Sequence, residues 1–170
     1  MELLDIYDEN GIKTGRQIPR GAERPDGVYI LVTHLCVFDG DGRMLIQQRD
    51  PDKDRWGGVW DVTVGGHVST GEDSLSAVLR ETREELGFTP RGKLQGPIRA
   101  RIPHVLDDFY LLREDVALDA LTLQKGEVSA VRWADCREVM ELMEKGAFID
   151  YDTSLISDLF ARGRELPVEK

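Results

Sequence analysis

The sequence is poor in the features that mark membrane and disulfide-rich proteins. Its 170 residues contain two cysteines, Cys36 and Cys136, whose spacing fits neither a disulfide framework nor a zinc pattern. No apolar run reaches about 18 residues, so we expect no membrane span. The N-terminal stretch MELLDIYDEN is acidic and lacks the apolar region of a signal peptide. These absences predict a reduced, cytoplasmic protein.

Positive charge is also scarce. The chain has 22 Lys and Arg against 32 Asp and Glu, which gives a formal net charge of −10 at pH 7. Such a surface repels phosphate backbones, so we expect no long nucleic acid as a partner. A small phosphorylated ligand remains compatible, because metal ions and a few local cations can reverse the field inside a cleft.

The chain length and the order of its patterns predict a single α/β domain over residues 1–170. Apolar residues around a DENG turn predict an N-terminal β-hairpin within residues 1–25. Alternating and β-branched runs predict a strand at 27–38, which pairs with a second strand in RMLIQQR to form a hairpin over residues 29–49. A short strand is predicted in WDVTVGG. Three further strands are predicted near 93–101, 108–113 and 128–133. Helices are predicted at about 73–86 and twice within 135–163. The expected architecture is a mixed β-sheet between helices, an α/β/α sandwich.

The helix predicted at 73–86 carries an unusual concentration of acid. At 100° per residue its core-facing arc contains five residues: Leu75, Val78, Leu79, Thr82 and Leu86. Glu81, Glu84 and Glu85 share a neighbouring arc, where like charges repel one another. A solvated acidic face is the simplest explanation. The alternative is a site for a hard cation such as Mg²⁺, which prefers oxygen ligands and bridges to phosphates.

The wider pattern favours the cation site. From Gly66 the chain reads G-x5-E-x7-R-E-x-x-E-E-x-G, a match of seven residues expected by chance less than about once in a million. The matching residues are Gly66, Glu72, Arg80, Glu81, Glu84, Glu85 and Gly87. The pattern resembles the Nudix box, the signature of hydrolases that act on nucleoside diphosphates linked to another moiety. One position departs from it, because Thr82 stands where the family usually has an aliphatic residue.

The resemblance implies a loop–helix–loop over residues 66–88 that builds a metal–diphosphate site. It implies that Glu81, Glu84 and Glu85 bind Mg²⁺, or alternatively Mn²⁺, and that the carbonyl of Gly66 adds a ligand. It also implies that Glu72 and Arg80 are a structural pair and that Gly87 ends the helix. In this family the general base is a glutamate of the box, here Glu81 or Glu84, or an acid outside it. Glu127 fits the outside position, with an exposed loop charge as the alternative.

The flanking segments resemble a narrower group, the Nudix proteins related to type I isopentenyl-diphosphate isomerases. This resemblance covers about residues 3–135 and implies that Arg49 and Lys53 contact a diphosphate, with Arg16 and Arg20 as weaker candidates. His67 and His34 match metal-binding histidines of the isomerases. His67 directly follows Gly66, so we place it in the substrate site, whereas His104 matches no motif. Each of these residues has an ordinary surface or packing role as its alternative.

The isomerase resemblance also raises a different activity, the movement of a proton across an allylic double bond. The isomerases carry a catalytic cysteine two residues before the histidine of this segment, and here that position is Gly65. Neither cysteine of the chain matches it, and without the thiol this proton transfer is hard to achieve. The sequence therefore favours a hydrolase. The other alternative is a module that senses a nucleotide without cleaving it, although such proteins usually lose acids of the box.

The tryptophans and the assembly state are less informative. We interpret Trp56 and Trp60 as anchors of the core or of a loop, with stacking on a base as the alternative. The C-terminal stripes of Leu, Val and Met indicate packing. A homodimer is compatible with the family resemblance, but no spacing in the sequence demonstrates one. The identity of the diphosphate substrate also stays open.

Overall fold

The structure is a computed structural model that describes residues 1–169, which form nine strands and three α-helices. The strands are β1 (Leu3–Tyr7), β2 (Lys13–Pro19), β3 (Ile30–Phe38), β4 (Met44–Arg49), β5 (Trp60–Asp61), β6 (Val64–His67), β7 (Gln95–Ile102), β8 (Val105–Arg113) and β9 (Val128–Ala134). The helices are α1 (Ser74–Leu86), α2 (Cys136–Glu144) and α3 (Thr153–Glu165), and Leu118–Ala120 form a 3-10 turn. None of these helices is long and apolar enough to cross a membrane.

The N-terminal hairpin is present as predicted. Strands β1 and β2 pair antiparallel, with Leu3 opposite Pro19 and Asp5 opposite Gln17. The turn is closed by the Asp8 carboxylate, which accepts hydrogen bonds from the backbone of Asn10 at 2.8 Å and of Ile12 at 2.9 Å. Strand β1 then lies against the loop before α1, because the carbonyl of Leu3 accepts from both the backbone and the hydroxyl of Thr70.

The central sheet departs from the predicted hairpin over residues 29–49. Strands β3 and β4 pair at a single position, Phe38 opposite Met44, and then separate. Strand β3 pairs parallel with β8 and antiparallel with β6, whereas β4 pairs antiparallel with β9 and β5. The hairpin prediction was therefore wrong beyond its turn, because each strand forms its ladder with partners that are distant in sequence.

The segment WDVTVGG joins the two halves of this split sheet. It was predicted as one strand, but it bends at Val62 and Thr63 and forms β5 on β4 and β6 on β3. The hydroxyl of Thr63 donates to the carbonyl of Leu45 at 2.5 Å and accepts from the backbone of Val37 at 2.9 Å. One buried side chain thus holds the two halves together, and β6 is aligned for the residues that follow it.

The mixed sheet carries helices on both faces, as the predicted sandwich requires. On one face Phe38, Phe109 and Ile46 pack with α2, α3 and the segment between them, which contribute Val139, Phe148, Ile156, Leu159 and Phe160. On the other face Leu35, Val37 and Val64 pack with Val78 and Leu86 of α1. Neighbouring residues of β3 thus point into different cores, as expected for a strand buried on both sides.

Helix α1 has clear start and stop signals and begins one residue later than predicted. The Asp73 carboxylate caps it by accepting from the backbone of Ser76 at 2.7 Å. Gly87 ends it in the left-handed region at φ 61°, where its N–H bonds to the carbonyl of Arg83. Thr82 is fully buried and donates its hydroxyl to Val78 at 2.6 Å, which explains how a polar side chain replaces an aliphatic one.

The predicted core face of α1 is only partly correct. Val78, Thr82 and Leu86 are buried as expected, but Leu75 is 41% exposed, and Ala77 and Glu85 are buried. The rotation of the helix is fixed by polar contacts of Ser74. Its hydroxyl lies 2.8 Å from the hydroxyl of Tyr110, and its carbonyl accepts from Thr33 at 3.0 Å. Glu85, which the helical arc groups with Glu81 and Glu84, is turned toward the sheet, where it contacts Gln47 of β4.

Candidate active site

Arg80 organises the loop and helix that carry the acids. Its guanidinium donates two hydrogen bonds to the carboxylate of Glu72, at 2.7 and 2.9 Å. Glu72 in turn accepts from the backbone of Ser69 at 3.1 Å, so the loop is tied back onto the helix. Hydrogen bonding from Arg80 lowers the pKa of Glu72 below its ordinary value. A bidentate pair of this kind gives a fixed geometry as well as charge compensation.

The same guanidinium also neutralises two of the predicted metal ligands. Arg80 donates to Glu81 at 2.9 Å and to Glu84 at 3.3 Å. It additionally reaches the backbone carbonyl of His67 at 3.4 Å. Repulsion between Glu81 and Glu84 is thus offset by one cation between them, which makes the acidic arc compatible with a folded helix.

The three glutamates of the arc have different environments. Glu84 is exposed, whereas Glu81 is partly buried and its pKa is raised by that burial. Glu85 is only 8% exposed, and burial raises its pKa to about 8 although Gln47 donates to it at 2.6 Å. The negative charges of Glu81, Asp61 and Glu127 raise it further. Burying ionised Glu85 is therefore costly unless a nearby positive charge compensates for it.

The glycines of β6 make room for side chains from neighbouring elements. A Cβ atom on Gly66 would collide with the carboxylate of Glu81, so Glu81 can approach the strand only because that residue is glycine. Gly66 itself lies opposite Thr33 of β3. The Glu81 carboxylate on α1 and the Gly66 backbone on β6 thus lie next to each other.

The chemistry of this donor set fits a hard divalent cation, because carboxylate and carbonyl oxygens are what Mg²⁺ and Mn²⁺ prefer. Within residues 1–169, however, no three His, Cys, Asp or Glu side chains form a preformed ligand group. Glu81 and Glu84 face Arg80, and Glu85 faces Gln47. Binding a cation would require these carboxylates to exchange Arg80 or Gln47 for the metal, so the metal site stays a prediction.

Lys53 and Glu127, predicted separately as a diphosphate contact and a general base, form an ion pair with each other. The loop that carries Lys53 is also linked to Glu127, because the backbone N–H of Asp50 donates to the carbonyl of Glu127 at 2.9 Å. The segment before Glu127 contacts α1, because the backbone N–H of Gln124 donates to the carbonyl of Glu85 at 2.9 Å. Arg49 donates to the carbonyl of Arg55 at 3.0 Å, while its buried Nε has no partner among the described residues.

His67 contacts Arg80 through its backbone carbonyl, and its imidazole is partly buried. Burial, together with the positive charge of Arg20, lowers the pKa of His67 to about 4. Its imidazole is therefore uncharged at pH 7 and can donate or accept a hydrogen bond. Arg20 itself pairs with Glu2 at 2.9 Å, and Glu2 bonds to the hydroxyl of Ser69 in the box loop. Arg16 lies on the exposed strand β2, and the structure gives its guanidinium no contact to the acids among the described residues.

His34 belongs to a buried polar network that the sequence did not predict. Its Nδ1 lies 2.6 Å from the carboxylate of Asp107, and its Nε2 lies 3.2 Å from the hydroxyl of Tyr151. Tyr151 donates to Asp61 at 2.5 Å, and the imidazole stacks on Phe109 at 4.9 Å. The only sequence signal for Asp61 and Asp107 was the position of these acids within the largely apolar stretches VWDVTV and VLDDFYLL.

The network also explains Gly65, the position where the isomerases have their cysteine. Gly65 lies opposite His34 in the β3–β6 ladder. A Cβ atom on Gly65 would lie 2.5 Å from Cδ2 and 2.6 Å from Nε2 of the imidazole. The space that a side chain would need is thus filled by a ring held at both nitrogens.

The tryptophan prediction is confirmed for Trp60, whereas Trp56 lies outside the cores and its role as a loop anchor stays a prediction. Trp60 packs against the core next to α2 and α3, with the Arg132 guanidinium 5.2 Å from its ring centre. Trp56 is 46% exposed at the end of the loop that carries Lys53. His104 lies in the β7–β8 turn and contacts the carbonyl of Val28 at 3.3 Å, with no link to the acids in the described chain.

Comparison with known proteins identifies the relatives of this chain. The family model described as NUDIX domain matches residues 29–154. A protein named an uncharacterized Nudix hydrolase from Listeria monocytogenes is 36% identical over 152 residues, which cover 89% of this chain and 90% of that protein. The isopentenyl-diphosphate Delta-isomerase of Streptomyces avermitilis is 40% identical over 88 residues, 52% of this chain and 45% of the isomerase. Both predicted resemblances are therefore confirmed.

The fold has a close counterpart among solved structures. The crystal structure of DR0079 from Deinococcus radiodurans superimposes with a TM-score of 0.78 and 23% identity, covering 93% of this chain and 99% of that one. At this identity the match concerns the fold alone. It confirms the predicted sandwich with its N-terminal hairpin.

Replacement of Gly65 by alanine is expected to destabilise the protein by about 1–3 kcal/mol, because the new methyl group would overlap the His34 imidazole. Urea unfolding of the variant measures this cost. Gly40→Ala is a control for loss of glycine flexibility, because Gly40 does not lie in the left-handed region and a Cβ there would meet the Asp115 carboxylate only at an ordinary contact distance of 3.5 Å. A Gly65→Ala protein as stable as wild type would show that the ring does not fill this space.

Stability is expected to fall between neutral and alkaline pH because of His34. Burial alone would lower the pKa of His34, but the charge and hydrogen bond of Asp107 raise it to about 9, above about 6.5 for an unfolded histidine. The contribution of protonated His34 to the free energy of unfolding is thus complete below about pH 6.5. As the pH rises through about 9, up to about 3 kcal/mol of this free energy is lost. Urea unfolding at pH 6.5 and 9.5 measures it. An equal decrease in His34→Gln would contradict this assignment.

Proposed function

The chain belongs to the NUDIX domain family of hydrolases, and from this premise we propose that it catalyses Mg²⁺-dependent cleavage of a diphosphate linkage. The reaction is X-P-P-Y plus water to X-P plus P-Y, with a nucleoside as one of the two moieties. The observation that carries this proposal is the arrangement around Arg80. One guanidinium ties the box loop to α1 and holds Glu81 and Glu84 next to buried Glu85.

In this proposal the acids of α1 hold the divalent cation. Glu81, Glu84 and Glu85 supply carboxylate oxygens, the Gly66 carbonyl supplies a further oxygen, and Arg80 and Glu72 keep the loop and helix in place. When bound, Mg²⁺ or Mn²⁺ neutralises the phosphates and lowers the pKa of a bound water. The raised pKa of Glu85 supports this role, because a buried carboxylate gains most from a cation that replaces its lost hydration.

A carboxylate must also take the proton of the attacking water. Glu127 is the candidate outside the box, since it lies on a loop at the site and is not held by Arg80. Its partner Lys53 is a natural contact for an anionic diphosphate. Substrate that binds Lys53 would therefore leave Glu127 free to accept a proton. Glu84 and Glu81 are the alternatives within the helix, and both would first have to leave Arg80.

Three further side chains are proposed to bind the substrate phosphates. Lys53 and Arg49 supply positive charge from the loop after β4, and the unpartnered Nε of Arg49 offers an additional donor. His67 is neutral, so it is suited to hydrogen bonding rather than to charge compensation. Together they would offset part of the strongly negative charge of the chain at the place where an anion has to enter.

The two alternative functions are less compatible with these residues. Isomerisation of isopentenyl diphosphate needs a thiol at residue 65, where the chain has a glycine covered by the His34 ring. A nucleotide-sensing module without catalysis would not need the full set of acids, all of which are retained and organised here. Hydrolysis accounts for both observations.

A screen that separates and quantifies the products X-P and P-Y tests the proposal directly. Purified protein is incubated with Mg²⁺ or Mn²⁺ and with ADP-ribose, dinucleotide polyphosphates, nucleoside diphosphate sugars, coenzyme A, nucleoside di- and triphosphates, and isopentenyl diphosphate. We expect cleavage of one class by the wild type and a loss of at least about 100-fold in Glu84→Gln. Glu144→Gln, an exposed glutamate of α2, is the matched control and should retain full activity.

Two results would overturn the proposal. Full activity of Glu84→Gln would remove the acids of α1 from the reaction. An inactive wild type that nevertheless binds a nucleotide tightly would favour the sensing module.

A further inference from the structure

Trp56 differs from the other two tryptophans of the chain in being presented to solvent. Its side chain is 46% exposed, whereas Trp60 and Trp133 pack against the two cores. Exposing an indole forgoes much of the free energy that its burial would provide. The sequence around it, DPDKDRWGG, contains no second large apolar side chain that would form a common apolar surface with it.

The backbone of Trp56 is held in an unfavourable conformation. Its φ of 57° lies in the left-handed region, which bulky residues rarely occupy. The neighbouring residues fix it there. Gly57 packs so closely on the carbonyls of Pro51 and Lys53 that a Cβ would lie 2.5 and 2.8 Å from them. Such conformations persist only where the surroundings enforce them, and they concentrate at ligand-binding positions.

The loop is also closed by contacts from β4. Arg49 donates through its side chain to the carbonyl of Arg55 at 3.0 Å, and its own carbonyl accepts from Gly58 at 3.1 Å. The carbonyl of Trp56 accepts from Val59 at 3.4 Å. The indole is therefore carried on a rigid loop, which reduces the conformational entropy that a bound ligand would have to remove.

This loop also carries Lys53, the proposed phosphate contact. Trp56 lies three positions after Lys53, so their Cα atoms lie within about 11 Å of each other. Lys53 pairs with Glu127, and the segment before Glu127 contacts α1 through a hydrogen bond from the Gln124 N–H to the carbonyl of Glu85 at 2.9 Å. A ribose between a phosphate and its base can bridge the remaining gap.

We propose that Trp56 is a specificity-determining residue that stacks on the planar base of the substrate's nucleoside moiety. This inference rests on the proposed diphosphate hydrolysis and assigns the side chain that recognises the base. One exposed aromatic face suits a planar base, which can stack on it from a single side. A flexible prenyl chain would need apolar walls on several sides, and the flanking Arg55 and Gly57 do not provide them.

The test is a binding measurement that does not depend on cleavage. Tryptophan fluorescence and calorimetry are recorded with Mg²⁺ and two uncleavable probes, α,β-methylene-ADP and the base-free methylenediphosphonate. We expect the nucleotide to quench emission of the wild type and of the matched control Trp133→Phe. Trp56→Leu should bind the nucleotide about tenfold more weakly and methylenediphosphonate unchanged, while Trp56→Phe should recover most of the affinity.

Three outcomes would overturn the inference: wild-type affinity for the nucleotide in Trp56→Leu, equal weakening of both probes, or no nucleotide binding by the wild type. The hydrolysis screen separates this inference from the proposed function. Cleavage of isopentenyl diphosphate alone, unaffected by Trp56→Leu, would support a hydrolase and overturn the stacking role. Trp56-dependent nucleotide binding without any cleavage would support the stacking role and argue against the hydrolase.

Discussion

The sharing of one guanidinium among three carboxylates is the interaction on which the candidate site depends. Arg80 binds Glu72 through two hydrogen bonds and still reaches Glu81 and Glu84. Without it, the first turns of the box loop would lose their tie to α1, and Glu81 and Glu84 would repel each other. Because Arg80 already compensates these charges, an incoming cation has to compete with it. The carboxylates are thus stabilised before any cation binds, and binding would require Glu81 and Glu84 to exchange Arg80 for the cation.

Much of this arrangement could be predicted from sequence because it is local. The apolar pattern and Gly87 predicted the helix to within a residue and its C-terminal glycine, and the family resemblance implied the contact between Glu72 and Arg80. Contacts set by distant partners could not be predicted. The separation of β3 from β4, the exposure of Leu75 and the burial of Glu85 all depend on strands and side chains far along the chain.

The network around His34 is the clearest example of this limit. Its contacts join residues 73, 117 and 90 positions apart, and no local periodicity links them. It nevertheless bears on function, because the imidazole occupies the space beside Gly65 where the related isomerases carry a thiol. The absence of a side chain at Gly65 and the position of the His34 ring are thus two parts of one packing arrangement.

The most direct test of the account is whether Mg²⁺ stabilises the protein through the acids of α1. Thermal unfolding is recorded with millimolar Mg²⁺ and with NaCl at the same ionic strength, because simple screening also relieves carboxylate repulsion. The account predicts that Mg²⁺ raises the Tm of the wild type by at least about 3 °C beyond NaCl. The Glu84→Gln, Glu85→Gln double variant should show no such difference. An unchanged wild-type Tm, or an equal shift in the double variant, would contradict the claim that these carboxylates form a metal site.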